Sequence, residues 1–109
     1  MVPQMYSALS PMRKRLVKLM QHIGFGRIEQ LIVRNREPMF DRAPRAFRTL
    51  KIGGQNTPRP ATDSDDFMLK SEVREFLSHL DAIKDGVVLR IDVSHGLPFI
   101  MELEQPVVA

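Results

Sequence analysis

Three histidines, a short acidic run, a glycine pair and six serines are the side chains whose types could support chemistry in this chain. His22, His79 and His95 show no metal-ligand spacing to one another or to a carboxylate pair. His22 and His79 fall near the ends of two different expected helices, and His95 reads as a turn residue. Asp63, Asp65 and Asp66 look superficially like the start of a cation loop. A calcium loop needs Gly at its sixth position and a closing Glu at its twelfth, and neither is in place, so helix capping is the expected role. Gly53-Gly54 lacks the Lys-Ser/Thr of a phosphate loop and runs towards Pro58. None of the serines lies in a Gly-x-Ser-x-Gly elbow, and Ser94 is simply the chain neighbour of His95. The residues give no catalytic constellation, so the expectation is a protein that is not an enzyme and uses no cofactor or metal.

The basic residues carry more information. Arg13, Lys14 and Arg15 fall in the opening turns of an expected helix, where the macrodipole makes each cation unfavourable by about 0.3 to 1 kcal/mol. Together with Lys18, and with Arg42, Arg45, Arg48 and Lys51 further along, they form a candidate surface for phosphates. The spacing of Arg42, Arg45 and Arg48 suits one side of a helical turn, although Pro44 argues against a regular one. Phe40 and Phe47 are the rings near these cations in sequence and Tyr6 is remote, so base stacking is not expected. Helix-turn-helix, zinc-finger and RNA-recognition signatures are absent from the sequence.

The charge is divided between the halves. Residues 1–60 hold twelve Lys or Arg against three acids, and residues 61–109 hold four against ten, giving +9 and −6 within a net charge of +3. Such asymmetry speaks about partners: a polyanion for the basic half, or attraction between the halves within or between molecules. At 109 residues the chain has room for one domain. It contains no Cys, which excludes disulfides and thiolate sites. The absence of a signal-like apolar run or a long apolar span leads to the expectation of a cytoplasmic protein with no membrane partner.

The elements that must position these side chains come in two sets. Ser10-Pro11 is a helix start, and Met12, Leu16, Leu19, Met20 and Ile23 follow helical spacing up to Gly24. A strand over Arg27–Arg34, a tight turn at Asn35-Arg36 and a short return strand from Pro38 follow. Sixty residues on, the pattern returns: Leu16 aligns with Phe76, Val17 with Leu77, Met20 with Leu80, Gly26 with Gly86, Leu31 with Ile91, Val33 with Val93 and Pro38 with Pro98. The chain therefore divides into a loose N-terminus (1–9), in which Met5, Tyr6 and Leu9 could pack as an apolar lead-in, a helix-hairpin unit (10–40), a basic insertion (41–65) with a short strand within Ala46–Ile52, a second unit (66–104) and a tail (105–109). N-cap formers over Thr62–Asp66 precede the second helix. The fold class expected is α+β: two helix-plus-β-hairpin units in pseudo-repeat, with an antiparallel sheet and both helices on one face.

Strict alternation points Val87, Leu89, Ile91 and Val93 towards the helices, with Leu97, Phe99, Met101 and Leu103 supplying the same face from the return strand. The opposite face then collects Ile28, Ile32, Phe40, Val88 and Ile100, an apolar patch that needs a cover. Those five are the candidate interface residues.

Residues 16–39 resemble YezD-like small bacterial proteins, above all in Ile23-Gly24-Phe25-Gly26-Arg27-Ile28-Glu29 followed by Leu31, Val33 and Pro38. Arg36 stands where that pattern has its turn Gly. The resemblance implies a similar local fold and carries no activity. The function expected is a non-catalytic protein-interaction module that forms a homo-oligomer or docks to another protein. The alternative is low-specificity nucleic-acid binding by the basic half.

Overall fold

The computed structural model describes residues 2–41, 44–54 and 66–104. After a 3-10 turn at Tyr6–Ala8 come α1 (Pro11–Ile23), β1 (Gly26–Arg34), β2 (Glu37–Met39), β3 (Arg45–Arg48), α2 (Ser71–Ile83), β4 (Gly86–Ser94) and β5 (Leu97–Leu103). Two helices and a five-stranded antiparallel sheet make an α+β protein. The strand order is β2-β1-β4-β5, with β3 also on β1. β2 and β3 take successive stretches of one β1 edge, opposite Ile32–Arg34 and Gly26–Glu29 respectively.

Each helix forms for reasons visible locally. Ser10 Oγ accepts the Arg13 N–H at 3.3 Å, and Pro11 opens α1 without wasting a donor. The same hydroxyl donates to Glu37 Oε2 at 2.6 Å, so the acid that the first turn of α1 lacks is supplied from β2. α1 buries Leu16, Val17, Met20 and Ile23, and α2 buries Val73, Phe76, Leu77 and Leu80. These helix residues share one buried cluster with Ile28, Leu31, Val33, Val88, Ile91 and Val93 of β1 and β4.

Both helices end on the same device. Gly24 (φ 70°, ψ −70°) and Lys84 (φ 63°, ψ −66°) are each the central residue of a γ-turn. The turns are closed by Phe25 N–H donating to the Ile23 carbonyl at 2.7 Å and Asp85 N–H donating to that of Ile83 at 2.8 Å. Glycine adopts this conformation freely, whereas Lys84 holds it under strain. The carbonyls of these residues then accept bonds from the opposite hairpin: Arg36 N–H reaches Lys84 and Gly96 N–H reaches Gly24, both at 2.8 Å. Positive φ at Asn35 and Arg36 (52° and 67°), and at His95 and Gly96 (55° and 75°), gives both hairpins the primed turn read from the sequence.

The facing of the strands corrects the sequence reading. Ile28 and Val88 are fully buried in the core, and of the five candidate interface residues Ile100 alone is exposed, with Ile32 and Phe40 half-buried. The reason is that alternation breaks once in each central strand. Gln30 takes a left-handed φ of 60° within β1, and the β4 register against β5 slips at Leu89. The core spacing becomes three then two (Ile28, Leu31, Val33; Val88, Ile91, Val93), Val87 and Leu89 are only half-buried, and Phe99, expected to face the helices, is exposed where the β5 register slips between Pro98 and Ile100. Opposite the core, Arg27 pairs with Glu29 at 2.7 Å and Arg90 with Asp92 at 3.4 Å, while the register sets Arg27 across from Asp92 and Glu29 across from Arg90. That stretch of sheet carries alternating charge in place of an apolar patch.

The N-terminal segment, expected to be loose, is tied down from Gln4 onward. Leu69 N–H donates to the Gln4 carbonyl at 2.8 Å, Tyr6 N–H to that of Phe67 at 2.9 Å, and Leu9 is buried. Asp66 clamps the segment, accepting Ser7 Oγ–H at 2.7 Å and Ser7 N–H at 2.8 Å. It therefore serves Ser7 and not α2, whose N-cap is Lys70 with no side-chain cap bond. The strand expected within Ala46–Ile52 is β3, Arg45–Arg48. Arg42, Thr62, Asp63, Asp65 and the 105–109 tail lie outside the described residues.

The Asp66 clamp predicts a pH effect. Bonds from the Ser7 hydroxyl, and then from its amide, hold the Asp66 carboxyl below its ordinary value of 3.8. A depressed folded value means that the clamp contributes fully above 3.8 and is lost as pH falls through the lower, folded value. The Ser7 amide resonance should therefore report a transition with its midpoint under 3.8. A midpoint at or above that value would contradict the clamp.

Candidate functional site

The exposed chemistry gathers at the two lateral edges of the sheet. At one edge, α1 and the β2-β3 side enclose a groove of about 420 Å³ with Arg15, Lys18 and His22 on its rim and Leu19, Phe40, Pro44 and Ala46 in its walls. β3 can approach β1 there because residue 26 is glycine: a Cβ at Gly26 would lie 2.0 Å from the Phe47 carbonyl oxygen. At the other edge, α2 and β5 enclose a groove of about 360 Å³ with Glu72, Glu75 and His79 on the helix side and Phe99 and Ile100 on the strand side. Phe99 and Ile100 are 59% and 49% exposed on a strand that has no neighbour beyond it among the described residues.

The cations proposed for phosphate binding divide in two. Arg13 is buried: its Nη2 donates to Asp81 Oδ1 at 2.6 Å and to the Arg36 carbonyl at 2.8 Å, which removes it from any phosphate surface. Helical geometry at position 13 turns its side chain towards α2, a tertiary pairing that residue type alone does not reveal. Lys14 and Lys18 lie over the Tyr6 ring at 5.7 and 5.1 Å, Lys18 also lies over Phe67 at 5.2 Å, and Tyr6 stacks on Phe67 at 4.7 Å. Tyr6, remote in sequence, is thus at the centre of the basic face, and its burial pushes the phenol above its ordinary value of 10.0. Arg15 lies over Phe40 at 4.5 Å, and Arg27 and Arg45 lie over Phe47 at 4.1 and 5.2 Å. Arg45 and Arg48 sit on β3, where a separation of three sends side chains to opposite sides, unlike the single-sided helical turn their spacing suggested. Lys51 is exposed in the turn beyond β3.

Phe40 and Phe47 are the rings the sequence placed near the cations, whereas Tyr6 and Phe67 were missed because sequence distance hid them. The one usable signal was Met5, Tyr6 and Leu9 as an apolar lead-in, since an apolar segment before a basic helix must dock somewhere.

Of the described groups considered for catalysis, His22 and His79 line different grooves and Asp66 is held by Ser7. Ser94 Oγ lies 3.1 Å from His95 Nδ1, and the ring meets Phe25 edge-on at 4.8 Å; both contacts belong to the exposed turn. Among the described residues no cluster of three or more His, Asp or Glu is placed to hold a metal ion, and none of their helices is long and apolar enough to cross a membrane. The two grooves carry opposite charge, Arg15 and Lys18 in one and Glu72 and Glu75 in the other, each beside apolar side chains. No family model, curated protein or solved structure matches the chain.

Proposed function

We propose that this chain is a small non-catalytic interaction module, built from two helix-plus-hairpin units with both helices on one face of the sheet, that self-associates through the β5 edge. Three correspondences support the two-unit organisation. α2 and β4 begin sixty residues after α1 and β1 with the same lengths, thirteen and nine residues. The γ-turns match. Six of the seven β1–β4 pairs, from Gly26 opposite Val93 to Val33 opposite Gly86, are carried onto one another when the units are exchanged, the exception being Glu29 opposite Arg90 beside the break at Gln30 and Leu89. An approximate two-fold axis therefore passes between β1 and β4, near Gln30 and Leu89.

The observation that carries the function is the pair Phe99 and Ile100, both large, apolar and about half exposed on an open edge strand beside a groove. Edge strands present unpaired backbone donors and acceptors, and soluble proteins ordinarily blunt them with charge or cover. β5 over Leu97–Leu103 carries one charged residue, Glu102, and keeps its apolar side chains. Strand addition would satisfy the backbone groups and bury the two side chains together.

Ile100→Asp is expected to abolish self-association while leaving the thermal midpoint within a few degrees of wild type, because Ile100 is outside the core. Light scattering at high-micromolar concentration checks this. A wild-type chain that remains monomeric there would overturn the reading.

A second reading is favoured by the Tyr6–Phe67 stack under Lys14 and Lys18. Cations interleaved with rings suit a single-stranded nucleic acid better than the sequence suggested. On this reading Lys14→Glu with Lys18→Glu weakens binding to a short single-stranded oligonucleotide by about tenfold or more. The logarithmic salt slope becomes shallower by about 0.7 for each phosphate that is no longer neutralised. Fluorescence anisotropy with a labelled oligonucleotide decides it; unchanged affinity removes this reading.

A further inference from the structure

We infer that the chain assembles head to tail, the acidic α2/β5 edge of one copy receiving the basic α1/β3 edge of the next; the inference rests on the self-association proposed above and supplies its geometry. The approximate two-fold axis relates two units of opposite charge. Exchange of the units carries the α1 groove onto the α2 groove, so Arg15 and Glu75 occupy corresponding positions sixty residues apart. Apart from the Arg13–Asp81 pair, which is satisfied within the molecule, α1 holds Lys14, Arg15 and Lys18 and no acid, whereas α2 holds Glu72 and Glu75 against Arg74. The two grooves thus occupy corresponding places and are opposite in sign, although one edge is the single strand β5 and the other the successive strands β2 and β3.

Charge then selects among the possible pairings. A symmetric contact between two β5 edges brings the Glu75 groups of both copies to one seam, and a symmetric contact between two β3 edges does the same with Arg15, Lys18 and Arg45. Like charges across an interface oppose both arrangements. The mixed contact sets Glu75 beside Arg15 and Lys18, continues the sheet from β5 to the neighbour's β3, and seats Phe99 and Ile100 against the neighbour's edge. Such a contact uses two different surfaces, so it does not close on itself at the dimer and propagates to a ring or a filament.

The test uses full-length chains and two reversals: Glu75→Lys on the acidic edge, and Arg15→Glu with Lys18→Glu on the basic edge. Both sites are on exposed or half-exposed helix positions, so the fold should survive, and circular dichroism confirms that each variant is folded. At low salt the wild-type mass should grow with concentration from 12.5 kDa past the dimer. Raising the salt to about 0.5 M, where screening is short-ranged, should reverse that growth. Each reversal alone makes both edges the same sign and should lower the association constant by about tenfold or more. Mixing the two variants in equal amounts should restore assembly, a recovery that a misfolded variant cannot produce.

A closed dimer, assembly indifferent to both reversals, or growth that appears only with added oligonucleotide would each overturn the head-to-tail arrangement. Ile100→Asp, measured alongside, separates the two levels. If assembly ignores the charge reversals but is abolished in Ile100→Asp, the β5 interaction reading stands and the head-to-tail inference fails; if assembly also survives Ile100→Asp, both fail.

Discussion

Leu16→Ala is expected to destabilise the protein by about 3 to 4 kcal/mol, measured as a shift of the denaturant midpoint at unchanged slope. Leu16 is fully buried and belongs to the cluster that joins both helices to β1 and β4. Removing its side chain loses the transfer free energy of the deleted carbons and leaves a cavity that two helices and two central strands together prevent from collapsing. A domain of this size has a total stability of roughly 5 to 15 kcal/mol, so the loss is a large fraction of the whole. A cost below about 1.5 kcal/mol would mean that α1 relaxes into the cavity and is held less firmly than its burial implies.

Asp81→Ala is expected to cost about 2 to 3 kcal/mol, and Arg13→Met less than about 1 kcal/mol. The inequality is the informative part. Asp81 neutralises Arg13, whose side chain is only 9% exposed, through a bond of 2.6 Å that links α2 to α1. Deleting the carboxylate strands a buried cation. Asp81 itself is 32% exposed, so water reaches the site and the cost falls below that of a fully buried pair. Arg13→Met removes the cation together with a desolvated Nε that has no partner among the described residues. An apolar chain of similar length can fill that space against the core. Paired denaturation curves for the two variants check the order, and a larger cost for Arg13→Met would show that the guanidinium bond to the Arg36 carbonyl matters more than charge balance.

The helices were legible because their determinants are local. Ser10-Pro11 and the apolar spacing through Ile23 act within a few residues of one another, and the same holds for Val73, Phe76, Leu77 and Leu80. The two primed turns were legible for the same reason. The orientation of the strands was not, because alternation counts residues and Gln30 and Leu89 each break the count. What fixes those breaks is the core itself: both central strands must present Ile28, Leu31 and Val33, or Val88, Ile91 and Val93, to the same helices.

The candidate site divides along the same line. Residue order is enough to establish the charge opposition between the halves and the two helices with their hairpins, since each is a property of the chain read locally. It took the folded molecule to show that Arg13 is spent on Asp81, that Tyr6 and Phe67 stack beneath Lys14 and Lys18, and that Phe99 and Ile100 stay at an open edge. The physical reason is separation along the chain: Arg13 and Asp81 are 68 residues apart, and Tyr6 meets Phe67 across a similar distance. Contacts of that range depend on how the helices and strands dock against one another, and no local propensity encodes them.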